Sequence, residues 1–364
     1  MIRIALLVFL VSINPVLGQR FGGIEIGAKG VKWIAMNLDL KNSKNPVELL
    51  DSGDLNTTLS ALNGTEFEAS SLDTTIEAVE SFHEILHEKH KIPRHRIFVV
   101  SSSGLPKADN FESLIGGVEK SIGQRLDVLT VEDEVRLGIH GLFLQNSDRL
   151  GEALVIDVGS GNTKGGYIVS SALEKHETTN IFHLPGTVTF TTAVKELAEE
   201  RHIDFSAANA LAKESILKPK VQKQLKENDA LKSRRLVYMN GGIVWAISTF
   251  LHPEMNDVAN VPLTLQELHQ MRRSLQDAKG GYPQVDLTHC DKRAKKDIEI
   301  VKKVFSPDNL AVGSEILCTL GETLAFQDCE LYFVRNGRIA WLLGYVSERG
   351  LDSNRKTAAI AKQS

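Results

Sequence analysis

Cysteine is scarce. Cys290, Cys318 and Cys329 are the only three in 364 residues, too few and too irregularly spaced for a zinc site or a disulfide scaffold, and they allow one bridge at most. No stretch reaches the roughly 20 apolar residues that a membrane-spanning helix requires. A large charge excess is missing as well: 42 Lys and Arg stand against 46 Asp and Glu, a net −4, with a pI near 6.3. Nothing in that balance calls for nucleic acid or another polyanion as partner. Basic residues do gather between Lys213 and Arg235 and from Lys292 to Lys303, but Glu, Asp and Gln interleave them, and solvated helix faces are the expectation.

What is present is globular composition, 42% hydrophobic and 24% charged. The length exceeds what one core ordinarily serves and predicts two domains of roughly 130 to 200 residues each. Residues 1–18 hold one basic residue, Arg3, an apolar run from Ile4 to Ile13, a breaker at Pro15, and Val16 and Gly18 ahead of Gln19. That is the pattern of a signal peptide cut between Gly18 and Gln19, and it predicts a secreted or periplasmic protein with no span in the mature chain. The expected units are 19–150 and 151–350, parted at the polar break Asp148 to Gly151, with a tail at 351–364.

Three segments read as strand, tight glycine turn and return strand: Ile24 to Ala35, Leu154 to Val169, and Leu331 to Val346, the last around Asn336-Gly337. Between the first two, a helix is expected from Leu72 to Lys89 with Ser71 or Asp73 as cap, then a strand at 97–100, a helix from Asn110 to Gly123, a short strand at 126–129 and a helix from Val131 to Leu144. Further helices are expected at 191–200, 206–232 and 243–251, the last entered from a strand ending in Asn240-Gly241-Gly242. Alternation of strands and helices predicts a layered α/β fold, and the repeated turn suggests a duplicated unit.

The turns carry the candidate chemistry. In Glu25-Ile26-Gly27-Ala28-Lys29-Gly30, followed by Lys32, and in Asp157-Val158-Gly159-Ser160-Gly161-Asn162-Thr163-Lys164, a carboxylate ends the strand and small residues let backbone N–H groups approach an anion. Phosphate is the anion such turns usually hold, and one such turn alone is a weak signal. Their pairing, with Gly241-Gly242 as a third turn, strengthens it.

With these residues the chain resembles the actin-like ATPase superfamily, whose two ribonuclease H-like domains face an interdomain cleft. The order Ser102-Ser103-Gly104-Leu105-Pro106-Lys107, then Thr130-Val131-Glu132-Asp133-Glu134-Val135-Arg136-Leu137, then the Asp157 turn, then Gly186-Thr187-Val188-Thr189-Phe190, resembles the exopolyphosphatase/guanosine pentaphosphate phosphohydrolase family. The resemblance covers about Gly22 to Leu251. It implies that Glu134 activates the attacking water, that Asp157 and Glu25 hold Mg²⁺ through waters, and that the turns bind polyphosphate or a nucleoside polyphosphate. A homodimer stays open. A glutamate in the first turn of a helix also serves as a cap or dipole partner.

Five positions depart from the family pattern, the mildest being Glu25 in place of an aspartate. Lys164 stands where the second turn ends in an acid, Lys29 where the first has an asparagine, and Pro106 and Thr189 where arginines are expected. Metal binding is weakened and cationic charge is added, so Lys29, Lys32 and Lys164 are candidate phosphate ligands that partly replace a metal. An exported phosphoanhydride hydrolase is the first expectation. A degenerate binding module and an apyrase-like ecto-nucleotidase are the alternatives, and a sugar kinase is a distant third because no sugar-binding loop is recognisable.

Overall fold

A computed structural model describes residues 18–39, 47–57, 59, 62–63, 65–144, 149, 152–168 and 178–361. Most of the expected leader, residues 1–17, and most of the break at 148–151 lie outside the described residues. Two mixed sheets organise the chain. The first runs β3-β2-β1-β6-β7, built from β1 (Gln19–Gly27), β2 (Gly30–Leu38), β3 (Val47–Asn56), β6 (Ile97–Ser101) and β7 (Asp127–Val128). A two-strand ribbon, β4 (Leu62–Asn63) with β5 (Glu66–Phe67), stands apart from it. The second sheet runs β10-β9-β8-β11-β13-β12, from β8 (Ala153–Val158), β9 (Asn162–Ile168), β10 (Thr178–Pro185), β11 (Leu236–Asn240), β12 (Asn260–Leu263) and β13 (Glu330–Val334).

Both sheets open with a three-strand antiparallel meander and continue through parallel strands on the far side of its first strand. The expected duplication is therefore visible in the topology. Helices α1 (Ala69–Glu84), α2 (Phe111–Ile122) and α3 (Val131–Phe143) belong to the first half of the chain. Helices α4 (Thr187–Arg201), α5 (Phe205–Ala212), α6 (Lys218–Glu227), α7 (Gly242–Leu251), α8 (Leu265–Asp277), α9 (Lys292–Val304), α10 (Pro307–Leu324) and α11 (Ala340–Ala361) follow.

Alternation along the strands puts a core on each face of the first sheet. Val31, Trp33 and Ala35 of β2 join Ile24 and Ile26 and the cluster under α1 and α2. On the opposite face, Ile34 and Met36 join Phe21, Leu137 of α3, and Leu342 and Val346 of α11. Helix α3 also reaches the second core, where Val135, Ile139, Leu142 and Phe143 pack with β8 residues. It thus bridges the halves, and α11 lies against it.

The third hairpin expected at 331–346 does not form. After β13 the chain makes a short 3-10 turn, Arg335–Ile339, and enters α11. Ile339, Trp341, Leu342, Leu343, Tyr345 and Val346 are all buried, and a near-continuous apolar run of this kind fits a buried helix as well as a strand. Two smaller differences concern helix ends. Helix α1 starts at Ala69 behind Glu68, which makes no side-chain cap bond, and gains a wide turn at Ile85–Lys89. The basic stretch expected as one helix divides into α5, a wide turn at Lys213–Leu217, α6 and a 3-10 turn.

Helices α3 and α11 cross in backbone contact. A Cβ on Gly141 would strike the Ala340 carbonyl, and one on Gly344 would strike that of Leu137. Gly116, exposed on α2, has open space around its would-be Cβ. Gly141→Ala is therefore expected to lower unfolding free energy by about 1–3 kcal/mol through overpacking. Gly116→Ala should raise it by about 0.5–1 kcal/mol through helix propensity. Urea denaturation of both variants checks the pair, and equal effects would contradict the crossing.

Candidate functional site

Each glycine turn is built on an acid–lysine cross-strand pair. Glu25 of β1 stands opposite Lys32 of β2, and Asp157 of β8 stands opposite Lys164 of β9. Neighbouring positions across antiparallel strands bring such side chains into contact. Lys32 Nζ donates to Glu25 Oε1 at 2.9 Å. Lys164 Nζ lies 3.7 Å from Asp157 Oδ2 and also donates to Glu134 Oε2. The two turns are joined through Glu134, which bonds Lys164 of the second hairpin and the Ser103 N–H, beside the end of β1 that carries the first.

Glu134 enters this cluster from the first turn of α3 with only 1% of its side chain exposed. Its other oxygen, Oε1, accepts the Ser103 N–H at 2.7 Å. The Ser102 N–H in turn donates to the Ile26 carbonyl, fixing the loop after β6 to the end of β1. Capping of α3 falls to its neighbours: Thr130 Oγ1 accepts from the Asp133 N–H at 3.1 Å, and Asp133 reaches back to the Thr130 N–H. Glu134 is free of that duty, which leaves its orientation into the cleft to be explained by Lys164 and Ser103.

Burial and pairing compete in the titration of the group. Desolvation opposes the charge on Lys164, yet Glu134 and Asp157 outweigh it and hold the ammonium above the ordinary lysine range. Burial raises Asp157 and Glu25 above the usual carboxylate range, opposed by Lys164 and Lys32 respectively. Lys29 is exposed at the tip of its turn, with Nζ 5.2 Å from the centre of the Phe305 ring, and partial desolvation of the ammonium there lowers it from the ordinary lysine range. That ring packs at the N-terminus of α7, where a Cβ on Gly242 would meet its edge at 3.0 Å. Gly241 has φ +105° and lies against the end of β8; a Cβ there would sit 3.0 Å from Asp157 Oδ1. The Asn-Gly-Gly turn is accordingly part of the same cleft.

Backbone donors are available in both turns. The N–H groups of Ala28, Lys29, Ser160 and Gly161 make no backbone hydrogen bond among the described residues. That of Gly159 is spent on Asn162 O at 3.0 Å, inside the hairpin. Gly27 and Gly30 pair with each other at the strand ends, and Asn162 stands at the start of β9. Thr163, expected to bind phosphate, points elsewhere. Strand alternation turns it away from Lys164; it is fully buried, and its hydroxyl donates to Pro185 O at 3.1 Å. Thr189, where an arginine was expected, donates to Gly161 O at 2.9 Å and so braces the second turn. Sequence reasoning missed the Ser103 N–H and Phe305. Ser103 stands in a stretch that carries the family resemblance, but its contact is made by backbone and leaves no side-chain signal, while Phe305 comes from outside the stretch that the resemblance covers.

Mg²⁺ was the expected cofactor, on Asp157 and Glu25. Both oxygens of Glu134 and one of Glu25 already carry protein donors, and Lys164 stands beside Asp157. Glu25 Oε2 is buried without a partner among the described residues. That oxygen and the Asp157 carboxylate, itself 3.7 Å from an ammonium, are what the cluster leaves for a divalent ion, whose remaining ligands would have to be waters and substrate oxygens. No group of three or more His, Cys, Asp or Glu is disposed to hold a metal among the described residues. As built, the donor set fits an ammonium at its centre better than a metal.

The sequence model of the Ppx/GppA phosphatase family matches residues 44–277, a span that begins after the first turn and includes Glu134, Asp157, Lys164, Gly241 and Gly242. Among solved structures, the type II variant of the Aquifex aeolicus Ppx/GppA phosphatase aligns with a TM-score of 0.60 at 18% identity, over 88% of this chain and 98% of that one. An exopolyphosphatase from Cytophaga hutchinsonii aligns with a TM-score of 0.59 at 12% identity, over 89% and 98%. A curated relative, retrograde regulation protein 2 of Saccharomyces cerevisiae, is 28% identical over 94 residues; the match takes in 26% of this chain and spans only 16% of that protein. The structural likenesses show the two-domain actin-like ATPase fold. With the family model matching well over half its length, the chain belongs to the Ppx/GppA phosphatase family.

Proposed function

We propose that this protein binds polyphosphate or a nucleoside polyphosphate between its two glycine turns and hydrolyses a phosphoanhydride bond with a water oriented by Glu134. The observation that carries this reading is the convergence of Glu134 with both turns and the Asn-Gly-Gly turn in one cleft. The N–H groups of Ala28, Lys29, Ser160 and Gly161, which make no backbone hydrogen bond among the described residues, and the ammoniums of Lys29 and Lys32 supply donors for phosphate oxygens. The water oxygen attacks phosphorus, its proton passes to the Glu134 carboxylate, and the P–O bond to the departing phosphate breaks in line. Lys164 neutralises charge next to the reacting phosphoryl group.

A second reading, binding without turnover, is favoured by a specific contact. Lys164 occupies one oxygen of the carboxylate that has to accept the proton. Release of phosphate from polyphosphate by the wild-type protein separates the two, since the second reading predicts saturable binding with no release.

If Glu134 orients the water, Glu134→Gln should keep the fold and anion binding while turnover falls by about 10²-fold or more, the scale of a lost general base. The amide keeps one acceptor, for Lys164 or Ser103, but loses the charge and sets its N–H₂ against the other donor, so the fold is checked by circular dichroism alongside turnover. Turnover at the wild-type rate would remove Glu134 from the mechanism. We also propose export: the pattern at 1–18 directs cleavage before Gln19, where β1 begins. The mature N-terminus read by mass spectrometry on protein secreted by its own cells should be Gln19, and recovery with Met1 retained would contradict it.

A further inference from the structure

The cleft repeats one arrangement twice, and the second copy is pulled out of its pair. In the first hairpin Lys32 rests on its own cross-strand acid, Glu25, at 2.9 Å. In the second, Lys164 stands opposite Asp157 in the sheet register but bonds chiefly to Glu134, 3.7 Å being left to Asp157. Its ammonium therefore sits between carboxylates from two different elements, α3 and β8, with 12% of the side chain exposed. That is the place and the ligand type that a hydrated divalent ion would use. We infer that the Lys164 ammonium is a built-in replacement for the divalent cation of this site, so that the cleft takes a phosphate chain without a metal.

Charge bookkeeping agrees. Glu25, Asp157 and Glu134 bring three formal negative charges and Lys32 and Lys164 two positive ones, leaving −1. An acid at position 164 would leave −3, a difference equal to the charge of one divalent ion. A lysine there supplies a single positive charge with three N–H donors, enough to hold two carboxylates and offer the third donor to a phosphate oxygen. Glu25 Oε2, buried and without a partner among the described residues, is left to accept a donor such as a protonated phosphate oxygen or a water.

The inference leans on the phosphate reading in one arm of its test and is independent of it in the other. In the independent arm, Mn²⁺ is titrated into the full-length protein without phosphate and the free ion is followed by electron paramagnetic resonance. Wild type is expected to hold no stoichiometric Mn²⁺ in the cleft, whereas Lys164→Glu gains one ion bound at least about tenfold more tightly, the scale of a charge-assisted contact. Lys164→Gln, which removes the ammonium without crowding four acids together, should gain affinity in the same direction and guards against a folding defect in the glutamate variant. One tight Mn²⁺ in wild type, or no gain in either variant, overturns the proposal.

In the second arm, methylenediphosphonate binding is measured by calorimetry in EDTA and in Mg²⁺. Wild type should bind equally in both, within about twofold, while Lys164→Gln loses at least about tenfold in EDTA and recovers with Mg²⁺. Wild-type binding that collapses in EDTA overturns the inference. Should wild type bind no diphosphonate under either condition, the phosphate reading fails and the Mn²⁺ arm alone decides the role of Lys164.

Discussion

A lysine ammonium held between the carboxylates of Glu134 and Asp157 is the contact on which this cleft depends. Removing such an ion from water costs several kcal/mol, and only close, hydrogen-bonded counter-charges offset that cost. Here the counter-charges come from α3 and β8, while the lysine itself comes from β9. The interaction consequently fixes the helix that bridges the halves to the hairpin of the second. Loss of one partner of a buried pair typically costs about 3–5 kcal/mol, so the cluster restrains the cleft as well as charging it.

The scaffold around the cluster is stiff. Helix α3 has one face in the second core and Leu137 in the core between the first sheet and α11. Its contact with α11 is held at backbone distance by Gly141 and Gly344. The same helices make additional, partly buried ties: Arg136 of α3 bonds Glu348 of α11, and the Tyr345 hydroxyl of α11 donates to Asp127 of β7. Glu134 thus reaches the cleft from a helix whose position is set by packing on both sides, while its rotamer is set by Ser103 and Lys164. Acid placement of this kind, on a rigid element with second contacts, is what proton transfer geometry requires.

Much of this was legible in the sequence. Both hairpins, their carboxylates and the bridging helix at 131–144 were readable because glycine turns and 3.6-residue periodicity are local signals. The run at 339–346 was misread because it is buried nearly all round, and periodicity then fails to separate strand from helix. The direction of Thr163 was also lost: it lies one residue from Lys164, and only the pairing register decides which of the two faces the cleft. Identity of residue type showed that Lys164 was unusual, but not that Glu134 would share it, since that contact joins residues 30 apart in the chain.

The family's enzymes are in general dependent on a divalent metal, and in this chain a lysine ammonium stands among the carboxylates of the cleft. On the reading proposed above, the Lys164 ammonium occupies the ion's place. Crystals grown with Mn²⁺ and a non-hydrolysable diphosphonate, measured for anomalous scattering at the manganese edge, test it directly. The account predicts diphosphonate oxygens near Lys164 Nζ and no anomalous peak among Glu25, Asp157 and Glu134. A manganese peak there, with the Lys164 side chain swung away from Glu134, would contradict it.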